Sequence, residues 1–448
     1  MTAELHARVE NYWDGSKQRR EISAALAEDI AVDVAIIGAG YTGLATAYHL
    51  KVADPSLNVA VLESETIGFG ASGRNAGFVM TLFGASVGMM KTLHGGARVR
   101  EAHEYMVQSI NGLAAMLAEH NLDCDFERSG FLKVATSPRY AARIRDEIAL
   151  FEELGVEGYK WLDADELGQR LRSPTFLGGC LEPECGTINP RKWVDALAGL
   201  AVGQGTRLYE RTPVDDVRRL RGKFRLATRG GNVTADKVVF ATNGYTHLIP
   251  GMRDKQMPAF AFIVVTEQLT PEQRAAIGWA GREGIEDGRN FMHFYRLTPD
   301  NRILMGGGPG FVPFGGRMGH DAHPAAWTHL EEFIGTTFPA LCGIGIDYRW
   351  GGGFSVTANS TPQIGTMHDG AAVYSIGCTG HGVAMTHMNG RIIRDLVLGK
   401  KTELTDLWFV NRRSMPLPPE PFRSLGAKAV TAGMALDDWW CDRGASAP

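Results

Sequence analysis

The stretch Asp33-Val-Ala-Ile-Ile-Gly-Ala-Gly-Tyr-Thr-Gly-Leu-Ala-Thr-Ala-Tyr-His-Leu50 decides the fold. Val34 to Ile37 read as a buried parallel strand, Gly38, Gly40 and Gly43 as a turn, and Leu44 to Lys51 as a helix that Pro55 stops. The three glycines do different things. Gly38 permits the tight turn, Gly40 lets backbone approach a pyrophosphate, and Gly43 lets the helix pack close to its strand. The helix N-terminus then faces phosphate oxygens. A second strand, Asn58-Val-Ala-Val-Leu-Glu63, ends in a carboxylate twenty positions after Gly43. Glu63 is thereby placed to accept a ribose hydroxyl, and a carboxylate there disfavours a 2′-phosphate and so NADP. An ordinary glycine-rich turn would leave the position of Glu63 unexplained.

Outward from this motif, 448 residues suffice for two or three cores, and we expect two domains sharing one cleft. The net charge is −4 with both signs mixed throughout. No basic stripe points to nucleic acid and no charge block to a disordered tail. The 55 glycines cluster in short runs, as close backbone approaches to a ligand require. The six cysteines show neither C-x-x-C nor metal-site spacing, so no metal is expected and a reducing cytoplasm is. The N-terminus lacks an apolar segment and no run of ~18 apolar residues follows, so neither export nor membrane spanning is expected.

Residues 1–30 are expected to form an arm on the first domain, with Tyr12 and Trp13 as anchors and a short helical pattern from Glu21 to Glu28. After Glu63, the run Gly68-Phe-Gly-Ala-Ser-Gly-Arg-Asn75 is too glycine-rich for a good helix or strand. Its Arg74-Asn75 donors and the flanking Phe69 and Phe78 suit a loop lying along a ligand. Helical periodicity covers 97–120 and 138–154, with a strand of a second sheet between them in Phe126 to Ala135. A helix opening at Pro190, strands near 206–210, 214–217 and 222–228, and Lys237-Val-Val-Phe-Ala-Thr-Asn-Gly244 alternate as a return to the first domain. Pro258 to Leu269 and Phe291 to Gly308 form a second strand-rich set, and 309–323 a loop over it. Ala372-Val-Tyr-Ser-Ile-Gly-Cys-Thr-Gly-His-Gly-Val383 then repeats the order strand, glycine turn, helix N-terminus, a second place for negative charge.

Several of these segments together resemble one family. Gly38 to Leu50, Gly68 to Asn75, Tyr295-Arg-Leu-Thr-Pro-Asp-Asn-Arg-Ile-Leu-Met-Gly-Gly-Gly308, Asp347-Tyr-Arg-Trp-Gly-Gly352, Pro362-Gln-Ile-Gly365 and Gly380-His-Gly-Val383 look like the γ-glutamylputrescine oxidase branch of the FAD-dependent D-amino-acid oxidase and sarcosine oxidase superfamily. The resemblance spans nearly the whole chain and includes Asn11-Tyr-Trp13. It implies an α/β fold: a glutathione-reductase-like Rossmann FAD domain with a second, mainly antiparallel α+β substrate domain. The FAD domain is expected at 31–105, 175–250 and 345–405, the substrate domain at 106–174 and 251–344, and a C-terminal extension at 406–448. The resemblance further implies cofactor contacts from Gly38, Gly40, Tyr41, Thr42, Gly43, Glu63 and Ser64, from Gly70, Ala71, Ser72, Arg74, Asn75 and Ala76, and from Val214, Thr242, Gly244, Gly351, Gly380, His381, Gly382 and Val383. Sarcosine oxidases tether FAD through a cysteine near 353–355 and keep a lysine near position 304. This chain has no cysteine there and has Leu304, so the FAD is expected to be non-covalent and the electron acceptor is dioxygen or another oxidant.

His381, between two glycines of the late turn, is a candidate to orient the cofactor edge or carry a proton, or is a turn histidine capped by backbone. His293 and Tyr295 share one face of a strand and Arg296 the other, so only one of these faces can line a cavity. His381, Tyr295 and His293 are the candidate catalytic residues. Arg74, Arg289, Arg296 and Arg349 suggest a substrate with an anionic tail. The reading is oxidation of a primary or secondary amine to an imine, hydrolysed to an aldehyde plus amine or ammonia. Dehydrogenation of an amino or hydroxy acid with a non-oxygen acceptor, a nicotinamide-only dehydrogenase and a non-catalytic flavin-binding subunit are the rival readings.

Overall fold

The computed structural model describes residues 10–16 and 23–443. Five strands form a parallel core in the spatial order Ala372–Ile376, Gly231–Phe240, Ile30–Ile37, Val59–Leu62, Arg207–Tyr209. From the central strand Ile30–Ile37 the chain adds 59–62 and 207–209 on one side, then 231–240 and 372–376 on the other. The order reverses beside the central strand, and a crevice opens there at the strands' C-terminal ends. Gln363–Met367 closes one edge antiparallel, and the hairpin Val214–Leu220 and Lys223–Thr228 branches off 231–240.

Helices Tyr41–Ala53, Pro190–Gly203 and Gly382–Leu398 cover this sheet. A side chain at Gly390 would sit 2.8 Å from Ala45, so Tyr41–Ala53 and Gly382–Leu398 cross with backbones nearly touching. Helix Gly96–Glu119 packs here too, with Met106, Ile110, Leu113 and Met116 in the same core as Met385 and Ile392. Residues 106–119, expected in the second layer, therefore pack in this one, because their apolar stripe finds its partner on helix Gly382–Leu398.

The second sheet has eight strands, in the order 346–356, 257–266, 303–307, 293–297, 284–287, 131–134, 178–182, 160–163. It is antiparallel except where 284–287 runs parallel to 131–134. Two boundaries differ from expectation: Gly178–Glu182 and Ile346–Val356 both pair in this sheet. Alternation separates its two faces. Tyr295, Leu297, Met305 and Val264 pack under helix Pro324–Thr337 through Trp327, Leu330 and Ile334. Ile263, Val265, Leu304 and Trp350 face the opposite way, toward Ala76 and Phe78.

Trp13 is fully buried in that second cluster. Its indole N–H donates to the Asn75 carbonyl at 2.9 Å, and Asn11 donates to the Gly73 carbonyl at 2.8 Å. The arm is thus a wedge between the glycine-rich loop and the second sheet. Residues 23–28, expected to be helical, are not: Gly230 packs directly on the Leu26 carbonyl, and Leu26 is buried in the core. Glu21 and Ile22 lie outside the described residues. In the C-terminal extension, helix Phe422–Asp442 docks through Asp438, which accepts the backbone N–H groups of Asn290 and Phe291 at 2.8 and 3.0 Å. Among the described residues, no helix is long and apolar enough to cross a membrane.

Removing the wedge leaves a large cavity at the junction. Trp13→Ala is expected to destabilise the protein by about 3–5 kcal/mol, read as a drop in melting temperature. A variant that melts with the wild type would put the arm outside the core.

Candidate active site

At the crevice, Gly38 adopts φ 104° and its Cα faces the Ala241 carbonyl, where a Cβ would come within 2.7 Å. A Cβ on Gly43 would lie 2.0 Å from the Gly38 oxygen, so the helix starts directly on the turn. The Tyr41 N–H donates to Ser72 Oγ at 3.0 Å, and among the described residues no other side chain caps this helix end. Glu63 is nearly buried, and its carboxylate accepts the Ala39 N–H at 2.8 Å, the Glu65 N–H at 3.1 Å and the Ser64 hydroxyl at 3.2 Å. A carboxylate has roughly four lone-pair positions, so about one is left for a further donor. The segment carrying Val214 runs alongside: the Thr212 N–H donates to the Glu63 carbonyl at 2.7 Å and that of Arg211 to Glu65 at 2.8 Å.

The loop holding Gly70, Ala71, Ser72, Arg74, Asn75 and Ala76 is stiff. Asn75 Nδ2 donates to the carbonyls of Ala71 and Ser72 at 3.0 and 3.1 Å, and the Trp350 indole donates to the Arg74 carbonyl at 2.8 Å. Arg74 spans to Asp321 at 2.8 Å and to the Gly351 carbonyl at 3.4 Å. Thr242 bonds Thr246 at 2.8 Å, and a Cβ on Gly244 would lie 3.4 Å from the Gly353 backbone. Three residues not anticipated from sequence knit these segments together. Ser355 donates to Gln256 at 3.1 Å and accepts the Gly377 N–H at 2.9 Å, while its own N–H donates to Asn243 at 3.3 Å.

Gly380 faces open space, with nothing within 4 Å of where a Cβ would sit. His381 and Gly382 follow at the N-terminus of helix Gly382–Leu398, which no side chain caps among the described residues, and Val383 is in the core. His381 Nδ1 is buried without a partner. Burial first, then the charge of Lys133, depress the imidazole to about 4, so it is neutral at neutral pH.

A family model for FAD-dependent oxidoreductases matches residues 33–396. The chain belongs to the FAD-dependent oxidoreductase family. It is 31% identical over 424 residues to γ-glutamylputrescine oxidoreductase of Escherichia coli K12, spanning 93% of this chain and 96% of that protein. It is 24% identical to the sarcosine oxidase β subunit of Rhodobacter capsulatus, over 74% of this chain and 76% of that one. Among solved structures, glycine oxidase of Geobacillus kaustophilus superposes with a TM-score of 0.73 at 22% identity, covering 86% of this chain and 99% of that one.

The residues present fit the family's cofactor. The Gly40 turn and the N-terminal end of helix 41–53 would hold its pyrophosphate, Glu63 a ribose hydroxyl, and the 70–76 loop with the 380–382 turn its redox-active ring. The orphaned His381 nitrogen and the open space at Gly380 leave room and a polar partner for such a ring.

Two expected catalytic residues lie elsewhere. His293 and Tyr295 are on the sheet face under helix 324–337, away from the glycine-rich loop, because strand alternation gives the inner face to Phe294 and Arg296. His293 is clamped between Asp287 at 2.8 Å and His329 at 2.8 Å and stacks on Phe333. Tyr295 is fully buried among Trp279 and Phe338.

The four arginines are also committed. Arg289 bonds Asp287 and Asp442, Arg349 bonds Glu331, and Arg74 bonds Asp321. Arg296 is fully buried, its guanidinium turned to the Ile188 carbonyl at 2.9 Å, and burial pulls its pKa down to about 10. The anionic tail expected from these arginines finds no unengaged cation among them.

Glu63→Ala is expected to weaken FAD binding by about 1–3 kcal/mol, roughly 5- to 150-fold in Kd. Gly40→Val should weaken it more, since its Cβ would press on Ser72 Oγ at 2.8 Å and fill the approach to the phosphates. Titration of apoprotein with FAD checks both; wild-type affinity in either variant would displace the site. No cysteine stands at 353–355, where a tethering one would, so acid precipitation should leave the yellow colour in the supernatant.

Proposed function

We propose that this FAD-dependent oxidoreductase oxidises a primary or secondary amine at its α-carbon, giving an imine that water hydrolyses to an aldehyde plus a smaller amine or ammonia. The observation that carries this reading is the placement of two helix N-termini, at Tyr41 and Gly382, on one crevice beside a neutral histidine. Similarity to γ-glutamylputrescine oxidoreductase over nearly the whole chain supports it. When bound, FAD supplies a two-electron acceptor for the C–H bond next to nitrogen.

The chain's residues then act in three ways. The amide-rich end of helix 382–398 favours negative charge gathering beside it, at no cost of reorganisation. The Arg74–Asn75 loop, fixed by Trp13 and Trp350, holds the reacting partners at a set separation, which is where orientation contributes most. His381 stays neutral and accepts or donates one hydrogen bond without adding a positive charge that would repel a cationic substrate. No dedicated base is required, because a neutral amine carries its own lone pair. The electrons leave to dioxygen or another acceptor.

Anaerobic mixing with an amine panel should bleach the flavin, at a rate that rises with pH as the bound amine loses its proton. His381, with a pKa depressed to about 4, is deprotonated well below this range, so the rise above pH 6 belongs to the amine and should persist in His381→Asn. Bleaching by hydroxy acids but by no amine would overturn the proposal, and a yellow protein inert to both would favour a non-catalytic subunit.

A further inference from the structure

A cavity of about 80 Å³ lies over the far half of the second sheet's inner face. One wall is the strand pair carrying Phe131, Lys133 and Glu286, joined by Glu182 from the neighbouring strand. This is the face that carries Phe294 and Arg296 nearer the cofactor loop. Phe78, just past that loop, makes edge contacts with both Phe131 and Phe294, at 5.5 and 5.8 Å between ring centres. The cavity is therefore continuous in the fold with the segment that borders the site, and Lys133 is close enough to His381 to act on its charge.

The other walls are apolar, from Met80, Met90, Val99, Ile148 and Phe151. Against them stand three carboxylates and one ammonium. Lys133 Nζ is 2.7 Å from Glu147 and 3.6 Å from Glu286. Glu182 accepts the Tyr159 hydroxyl at 2.8 Å and that of Thr81. Burial lowers His103 and raises Cys180 and Tyr159, and among the described residues no Lys or Arg other than Lys133 lines the cavity.

Glu286 is the unsatisfied member. It is 5% exposed, and among the described residues no side chain donates a hydrogen bond to it, the Lys133 contact being too long. Burial, reinforced by Glu147, Asp287 and Glu182 and opposed by Lys133, lifts its carboxyl to about 7. A buried carboxylate without a donor is costly, and a second ammonium brought into hydrogen-bond range would relieve it.

We propose that this cavity is a subsite for a second, distal ammonium of the substrate, held by Glu286 with Glu147 and Glu182, while the apolar walls take the spacer. The substrate class is then an α,ω-diamine or a similar dication with an alkyl spacer. This rests on the amine-oxidising reading above and sets its specificity. The carboxylate surplus, not the arginines, decides the sign of the tail.

The experiment compares n-alkylamines with α,ω-diaminoalkanes of equal length, propyl to hexyl, in anaerobic flavin reduction and in thermal stabilisation of the holoenzyme. At the best length the diamine should be favoured by at least about tenfold, as expected of a buried charge pair, and should raise the melting temperature more than its monoamine. Glu286→Gln and Glu147→Gln should each bring the diamine-to-monoamine ratio toward one, with Glu286→Asp retaining part of it. Equal efficiency of the two series in the wild type, or a preference that survives both glutamine variants, would overturn the subsite and leave amine oxidation standing. Reduction by neither series, with reduction by a hydroxy acid, would overturn the amine reading and the subsite with it.

Discussion

The approach of Gly43 to the Gly38 carbonyl is the constraint from which the rest of the site follows. With no side chain between them, helix 41–53 begins at the very end of the central strand and not a turn later. The strands 30–37, 231–240 and 372–376 run parallel as neighbours, so their C-terminal ends share one edge of the sheet. Helix 382–398, which follows the last of them, must therefore open on the same side as helix 41–53. Their close crossing at Gly390 and Ala45 locks the two together. Two sets of helix-end amides then face one crevice, and a dinucleotide with phosphates at one end and a reducible ring at the other matches that spacing of positive ends.

Stiffness of the loop between these ends comes from outside the nucleotide-binding layer. The 68–76 loop has too many glycines to hold its own shape, yet its carbonyls at Gly73, Arg74 and Asn75 each receive a side-chain donor: Asn11, Trp350 and Trp13. One comes from the second sheet and two from the N-terminal arm. Buried donors of this kind are expensive to leave unpaired, so the loop cannot drift without breaking all three. Flexibility needed for backbone approach to a ligand is thus combined with a fixed position.

Much of this was legible in the sequence because periodicity and glycine spacing are local signals. The nucleotide-binding turn, Glu63 and the late glycine-helix element could be read from consecutive residues. The faces of the second sheet could not. Alternation pairs His293 with Tyr295 and Phe294 with Arg296, but which pair faces the cofactor depends on helix 324–337 covering one side and Trp13 the other. The same limit explains the misassigned strand 346–356: its residues read as a strand, while its partner 257–266 lies some ninety positions earlier. The short helix expected near residues 23–28 fails for a third reason, since the pattern competes with a tertiary contact, the approach of Gly230 to the Leu26 carbonyl.

Charge was the least legible property, because a charged residue's meaning lies in its partner. Four arginines suggested an anionic ligand, yet three are matched by acids on other elements and the fourth by backbone carbonyls. The acids of the cavity gave a weaker signal: Phe131-Leu-Lys-Val and Gly284-Ile-Glu-Asp each put a charge inside a short buried strand, where desolvation makes it costly unless answered. Register answers one such charge, since parallel pairing sets Lys133 beside Glu286, and Glu147 from a helix then takes the shorter bond to the same lysine. One ammonium is thereby shared between two carboxylates while a third, Glu182, draws on the Thr81 and Tyr159 hydroxyls and the Cys185 thiol. A core selected for stability alone would gain by replacing Glu286 with an apolar residue of similar size. Its retention, on the wall of a cavity and without a donor, is the cost expected of a group whose partner arrives with the substrate.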